Sequence, residues 1–150
     1  MKKTLLIVII ILVVIQFFQP EKNVTKAATT DEIFFQLQCD PLVKKNIVTA
    51  CFDCHSNSTR YPFYAKFAPV SWMMARHIKE GKEHLNFSDW GKYDKKEQLK
   101  MLQEICEVVT EGEMPLKSYT FMHSSAILNA TDVLNICEWT ETASEEVFNK

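Results

Sequence analysis

The chain has no surplus of basic charge and no segment that alternates apolar with polar residues. Its 17 lysines and arginines stand against 19 acidic residues, a formal net charge of −2. Residues 1–25 hold Lys2, Lys3, Lys22 and Glu21; without them 14 basic and 18 acidic side chains remain, a net of −4. No basic patch of the kind that grips a phosphate backbone is available, so no nucleic-acid partner is expected. The missing alternation argues against β-strands and for an all-α fold. A second Cys/His pair at short spacing, needed for a four-ligand zinc site, is absent. So is the βαβ context of a thioredoxin-like dithiol. Beyond the N-terminal segment no apolar run is long enough to span a membrane.

What is present is Cys51-Phe52-Asp53-Cys54-His55. This Cys-x-x-Cys-His spacing is the attachment pattern for a c-type haem. Two thiols one helical turn apart can each add across one haem vinyl group, and the adjacent histidine then lies under the iron as a proximal ligand. The chain has only five cysteines and four histidines, which leaves little room for a chance match. The expected cofactor is one haem c, held covalently through Cys51 and Cys54.

Lys2-Lys3 precedes an uncharged, mostly apolar run from Thr4 to Phe18, broken only by Gln16. These are the n- and h-regions of an export signal. A small-x-small cleavage site is missing, Lys26-Ala27-Ala28 being a poor one, so the segment reads as an uncleaved signal anchor, with a cleaved signal as the alternative. The run is short for a spanning helix, which takes about 17–25 residues. Either reading puts the domain outside the cytoplasm, in the bacterial periplasm, where covalent haem attachment also takes place.

Residues 19–30 are polar and aperiodic and read as a tether. Ile33, Phe34 and Leu37 share one face of a short helix that ends at Asp40-Pro41. That pair is the N-cap and first position of the next helix, which leads into Cys51. Ser56 to Pro62 is a loop by composition. Tyr61, Phe63, Tyr64 and Phe67 follow and could wall a haem edge or simply pack in the core. Pro69 opens a longer helix whose apolar stripe includes His77. Asp94 with Glu97 forms a capping box for a helix striped by Leu99, Leu102, Ile105, Cys106 and Val109, and Gly112 is its C-cap. Its Lys95, Lys96, Lys100, Glu104 and Glu107 read as a solvated face. A last helix spans Asn129 to Thr140, and the polar stretch from Thr142 reads as frayed.

Between the last two helices stands Glu111-Gly112-Glu113-Met114-Pro115. A thioether is a soft neutral ligand that raises the reduction potential relative to two histidines, and a following proline stiffens the loop. Met114 is therefore the expected sixth ligand beside His55. His77, His84, Met122, His123 and an open iron site are its rivals, and a gap-filling core methionine is the bland alternative. Cys106 and Cys137 lie on the apolar faces of the helices flanking this loop. They either pair as a disulfide or act as small buried hydrophobes, with Cys39 unpaired in both cases.

The chain resembles the small bacterial haem-binding domain family of c-type cytochromes. The resemblance rests on Cys51 to Asn57, Tyr61-Pro62-Phe63-Tyr64, Pro69-Val70-Ser71-Trp72, His77 with Glu80-Gly81, Leu85 to Trp90, Gly112-Glu113-Met114-Pro115 and Tyr119. It covers roughly residues 43 to 139. It implies a class I cytochrome c-like helical domain around one haem. In such folds a proline carbonyl accepts from the proximal histidine Nδ1–H, which makes Pro69 the counterpart here. Arg60, Trp72 and Tyr119 are the side chains expected near the haem propionates, with Tyr64 against the haem. The expected division is an anchor or signal peptide over 1–20, a linker over 21–30, the haem domain over 31–142 and a polar tail over 143–150.

These features together describe a membrane-tethered electron carrier with His55/Met114 ligation and a protein redox partner. Such a carrier needs no catalytic side chain, so enzyme activity is not expected. A haem sensor or small-ligand-binding module would need an open or displaceable sixth site. A small peroxidase would need in addition a polar distal group, and no obvious His-Arg pair is present.

Overall fold

The computed structural model describes residues 2–25 and 29–150. Lys26-Ala27-Ala28, the weak cleavage candidate, lies outside the described residues. Eight α-helices and a few short 3₁₀ turns make up the described chain, with no strand among them, so the molecule is all-α as its patterning predicts.

Helix α1 (Lys2–Val14) runs on into a 3₁₀ turn at Ile15–Phe17. It buries none of its residues, and its apolar side chains are exposed on every side. Among the described residues no helix is long and apolar enough to cross a membrane. The polar stretch that follows is no loose tether. Asn23 uses every polar group it has: its amide donates to the Ser56 carbonyl at 2.8 Å and to Thr59 Oγ1 at 2.9 Å, and its Oδ1 accepts from Lys82 Nζ at 2.9 Å. Its backbone N–H donates to Tyr61 Oη at 2.8 Å, and its carbonyl accepts from the Thr59 N–H at 2.9 Å. Residues 23–25 are thus sewn to the turn that follows His55, because a single asparagine presents both donors and acceptors where that turn has unpaired ones.

The domain proper starts at α2 (Ile33–Gln36) and α3 (Pro41–Ala50). Asp40 caps α3 by accepting from the Leu42 N–H at 2.8 Å, and Pro41 occupies the first turn, where its missing N–H costs nothing. Helix α4 (Phe52–His55) is a single turn that, with Cys51 at its N-cap, carries the Cys-x-x-Cys-His motif, and α5 (Val70–His84) packs across it. Helix α6 (Lys95–Thr110) begins with the Asp94/Glu97 capping box. It ends at Gly112, whose φ of 69° is the left-handed conformation glycine adopts without strain. One-turn α7 (Lys117–Thr120) follows the Met114 loop.

Helix α8 (Ala130–Asn149) corrects the expectation of a frayed tail. It begins with a capping box between Asn129 and Asp132 and runs nine residues past Thr140, because Ala143 and Val147 continue the buried stripe of Ile136, Trp139 and Thr140 at helical spacing. Trp139 also donates its indole N–H to the Gln38 carbonyl at 2.9 Å, which ties α8 to the start of α3. Helices α6 and α8 form the largest helix pair, and their apolar faces join Ile33, Ile47, Phe87 and Trp90 in one core.

Cys106 of α6 and Cys137 of α8 form a disulfide, while Cys39, Cys51 and Cys54 are free thiols. The bridge closes a segment with a sequence separation of 31. Loop-closure entropy for that length corresponds to about 3–4 kcal/mol of stability. Replacing both cysteines by alanine is expected to lower the unfolding free energy by about that amount, measured by denaturant titration; a change below about 1 kcal/mol would show that the α6–α8 packing alone holds the pair.

Candidate functional site

A helix of one turn has no stability of its own, so the attachment motif takes its shape from what surrounds it. Each of its two variable residues is an anchor. Phe52 enters the core as the middle ring of a stack, 5.6 Å from Phe34 and 5.0 Å from Phe87 between centroids, each pair inclined by 11°. Asp53 is buried on the polar side. Its Oδ1 accepts from Arg60 Nε at 2.9 Å and from the Arg60 N–H at 3.1 Å, and its Oδ2 accepts from Tyr119 Oη at 2.8 Å. Its carbonyl accepts from Thr59 Oγ1 at 2.6 Å. Bonding to the Asp53 carboxylate holds the Arg60 pKa above its ordinary value, and burial together with the same bond raises that of Tyr119.

His55 sits at the C-terminal end of α4 with its Nδ1 3.0 Å from the Leu85 carbonyl. A carbonyl can only accept, so the proton is on Nδ1 and the lone pair on Nε2, the tautomer that a metal ligand requires. Burial pushes the imidazole pKa down, which favours the neutral ring. Pro69 does not have the role that the resemblance assigns to it. Its carbonyl accepts from the Trp72 and Met73 N–H groups at the start of α5, while the carbonyl that orients His55 comes just past the other end of that helix.

Gly81 lets α5 approach so closely. A Cβ at that position would lie 2.9 Å from the Cys54 carbonyl oxygen and 3.3 Å from its carbon, and backbone atoms cannot swing aside. Any side chain there would drive α5 away from the attachment turn and shift the Leu85 carbonyl with it.

Cys51, Cys54, His55 and Met114 all line one cavity of about 810 Å³. Its walls are Ala50, Leu85, Phe87, Ile105, Val108 and Leu116, with Asp53, Gly81 and Tyr119 beside the motif and Glu104, Glu107, Glu111 and Glu113 among its acidic lining. Met114 reaches it because the loop after α6 folds back: the Glu113 and Met114 N–H groups both donate to the Val108 carbonyl, at 3.0 and 3.1 Å. Burial pushes the Cys51 thiol up to about 12 and the Cys54 thiol up to about 11.

Other expected residues lie elsewhere. Arg60 and Tyr119 are committed to Asp53, and of the two only Tyr119 borders the cavity. Trp72 lies outside it, its indole N–H given to the Phe18 carbonyl at 2.6 Å. Tyr64 donates to His123 Nε2 at 3.2 Å, and His123 stacks on Tyr119 with centroids 4.1 Å apart; neither Tyr64 nor His123 lines the cavity. Phe63, Phe67 and Met122 are likewise outside, whereas His77 and His84 border it. Met101 of α6 borders it too, a thioether that sequence reasoning passed over because it falls beside the helix's apolar stripe. Leu85 and Gly81 were beyond sequence reasoning as well, since both act through backbone geometry.

The chain matches the haem-binding domain family over residues 10–142. It belongs to that family. No curated protein and no solved structure matches the chain. The cavity fits the family's group: its volume lies within the roughly 300–1,000 Å³ of small-molecule and cofactor sites, its walls are largely apolar, and its donors include two thiols, the His55 imidazole in the ligating tautomer and the thioethers of Met114 and Met101. The protein is a haem-binding protein.

The bond from Tyr119 to Asp53 carries a pH dependence. The folded-state phenol titrates above its ordinary value of 10.0, so above that value the unfolded chain loses the proton first. The contribution is therefore fully present below about pH 10 and is lost as pH rises further. Melting temperatures of the wild type are expected to fall more steeply above about pH 10 than those of Tyr119→Phe; parallel curves would remove this assignment.

Proposed function

We propose that the protein is a mono-haem c-type cytochrome that carries single electrons outside the cytoplasm, anchored to a membrane through α1. The observation that carries this reading is that one cavity collects Cys51, Cys54 and His55 from α4 and Met114 from a loop far along the chain. In this reading Cys51 and Cys54 would hold the group covalently, each thiol adding across one vinyl group, and His55 Nε2 and the Met114 sulfur would ligate its iron. Bound haem supplies a one-electron couple, and the chain sets its potential and exposure. The Leu85 carbonyl fixes the plane and basicity of the proximal imidazole. The Asp53 network and the Phe52 stack keep both thiols on one side of the cavity.

Two features support this location. The Cys106–Cys137 disulfide suits an oxidising compartment, and α1 is apolar all round while packing no face into the core. The bacterial periplasm fits both.

The test is the spectrum and mass of the chain produced in a host that matures c-type haem. We expect the mass of one haem added, stable to acid extraction, and lost in the Cys51→Ser, Cys54→Ser double variant. We also expect low-spin ferrous bands, with a weak long-wavelength ferric band that disappears in Met114→Ala. Survival of that band in Met114→Ala but not in Met101→Ala would move the ligand. A high-spin ferrous form that binds carbon monoxide without displacing a ligand would replace the carrier by a sensor.

Glu80 of α5, Glu104, Glu107 of α6, Glu111 and Glu113 all border the cavity and are exposed. A redox partner approaching there needs a basic face, and the encounter is electrostatically steered. Electron-transfer rates with a basic partner are expected to fall severalfold when ionic strength rises from about 0.01 to 0.15 M. The Glu107→Lys, Glu111→Lys double variant should slow the reaction while leaving the spectrum unchanged. Equal rates in the variant would place docking on another face.

A further inference from the structure

Helix α1 does not end in free space. At its exit Gln16 donates to the Ala68 carbonyl at 3.0 Å and accepts from the Ala68 N–H at 2.9 Å, a two-point clasp on a buried residue of the domain. Two residues on, the Phe18 carbonyl accepts the Trp72 indole N–H at 2.6 Å. These bonds, continued by those of Asn23, fix the apolar helix to one region of the domain. Large aromatic side chains in that region face solvent: Phe17 is 82% exposed, Phe18 67%, Phe67 57% and Trp72 40%, and Phe63, on the turn just before Phe67, is 73% exposed. The chain's other two tryptophans, Trp90 and Trp139, are buried at 0% and 6%. Lys66, among these rings in sequence, is exposed as well.

Length decides how deep this region sits. The 13 residues of α1 rise about 20 Å, and the three of the 3₁₀ turn add about 6 Å. A bilayer's hydrocarbon core is about 30 Å thick. A helix that falls short of it thins the bilayer or draws its ends inward. Lys2 and Lys3 can snorkel at one end. At the other end the clasp leaves no slack, so the domain is drawn in with the helix.

We propose that the face formed by Phe63, Phe67 and Trp72, with Phe17 and Phe18, is a lipid-docking surface seated in the headgroup layer of the same bilayer that α1 enters. This rests on the anchoring proposed above. A tryptophan indole partitions to that layer, phenylalanine rings bury into the boundary between headgroups and acyl chains, and the Trp72 N–H already has its partner in the Phe18 carbonyl. Lys66 adds attraction to anionic headgroups. The domain is thereby held in one orientation on the membrane, with the chain after α1 acting as a strut.

The test uses the full haem-loaded chain, in a Cys39→Ser background, in vesicles of phosphatidylcholine and phosphatidylglycerol. Single cysteines at Val8, Phe63, Phe67 and Lys96 carry nitroxide labels, and an unchanged haem spectrum certifies folding. Relaxation by oxygen and by a water-soluble nickel chelate reports depth. We expect the oxygen-to-nickel ratio at Phe63→Cys and Phe67→Cys to exceed that at Lys96→Cys severalfold, with Val8→Cys higher still. A deep Val8 label with Phe63 and Phe67 labels as watery as Lys96 would overturn the docking surface and leave the anchor standing. Labels at 63 and 67 shielded from both reagents would mean that a second copy of the chain covers the face, which also overturns it. A watery Val8 label would remove the anchor itself.

Discussion

One buried carboxylate fixes the geometry on which everything else depends. Asp53 lies inside the attachment motif, on a helix too short to hold its own shape, and its oxygens collect Arg60 from the following loop and Tyr119 from α7. A buried charge left alone is costly, so this one persists only because its acceptor sites are filled. The Arg60 guanidinium, itself largely exposed, supplies the countercharge while remaining in water, which keeps the desolvation cost on one partner only. Tyr119 brings a second constraint. It follows the Met114 loop by a few residues, so the same carboxylate that orders the cysteines also positions the far wall of the cavity.

The opposite side of the motif is held by apolar packing and backbone shape. Phe52 is locked between Phe34 and Phe87, and Phe87 also meets the His55 ring edge-on at 6.2 Å. Gly81 brings α5 against the Cys54 backbone, and the chain leaving α5 offers the Leu85 carbonyl to His55. The imidazole is therefore gripped by a ring on one edge and a carbonyl on another. Such a ring cannot rotate without breaking a close-packed contact. In the proposed ligation this rigidity would hold the imidazole in one orientation toward the group.

What could be read from the chain was whatever depends on neighbours in sequence. Asp40-Pro41, the Asp94/Glu97 box and the left-handed Gly112 act over three or four residues, and each stands where its type predicts. The motif itself was legible for the same reason, as was the Met114 loop between two helices. Asp53 was not, because its partners lie seven and sixty-six residues away and no spacing rule joins them. The substitution of Leu85 for Pro69 was equally hidden: it is a carbonyl-to-ring contact, to which the Leu85 side chain contributes nothing. The C-terminal half of α8 misled through composition. Its polar residues outnumber Ala143 and Val147, yet two apolar positions at the right period are enough to bury a face.

The polar stretch after α1 misled in the same way, with a larger consequence. Low hydrophobicity describes a flexible linker only when its polar groups are satisfied by water. Here Gln16 and Asn23 spend theirs on the domain, and each bond so made removes freedom from the segment between α1 and the cavity. A long tether would let the carrier search for partners at many orientations. A strut sacrifices that search and gains a fixed presentation of the acidic cavity rim. The advantage lies with the strut when the partner is held in the same membrane, because both faces then need to meet in only one orientation. In the anchoring proposed above, the short apolar helix and the well-bonded segment after it would form one design: the shortfall in length would pull the domain toward the bilayer, and the bonds would keep it from turning.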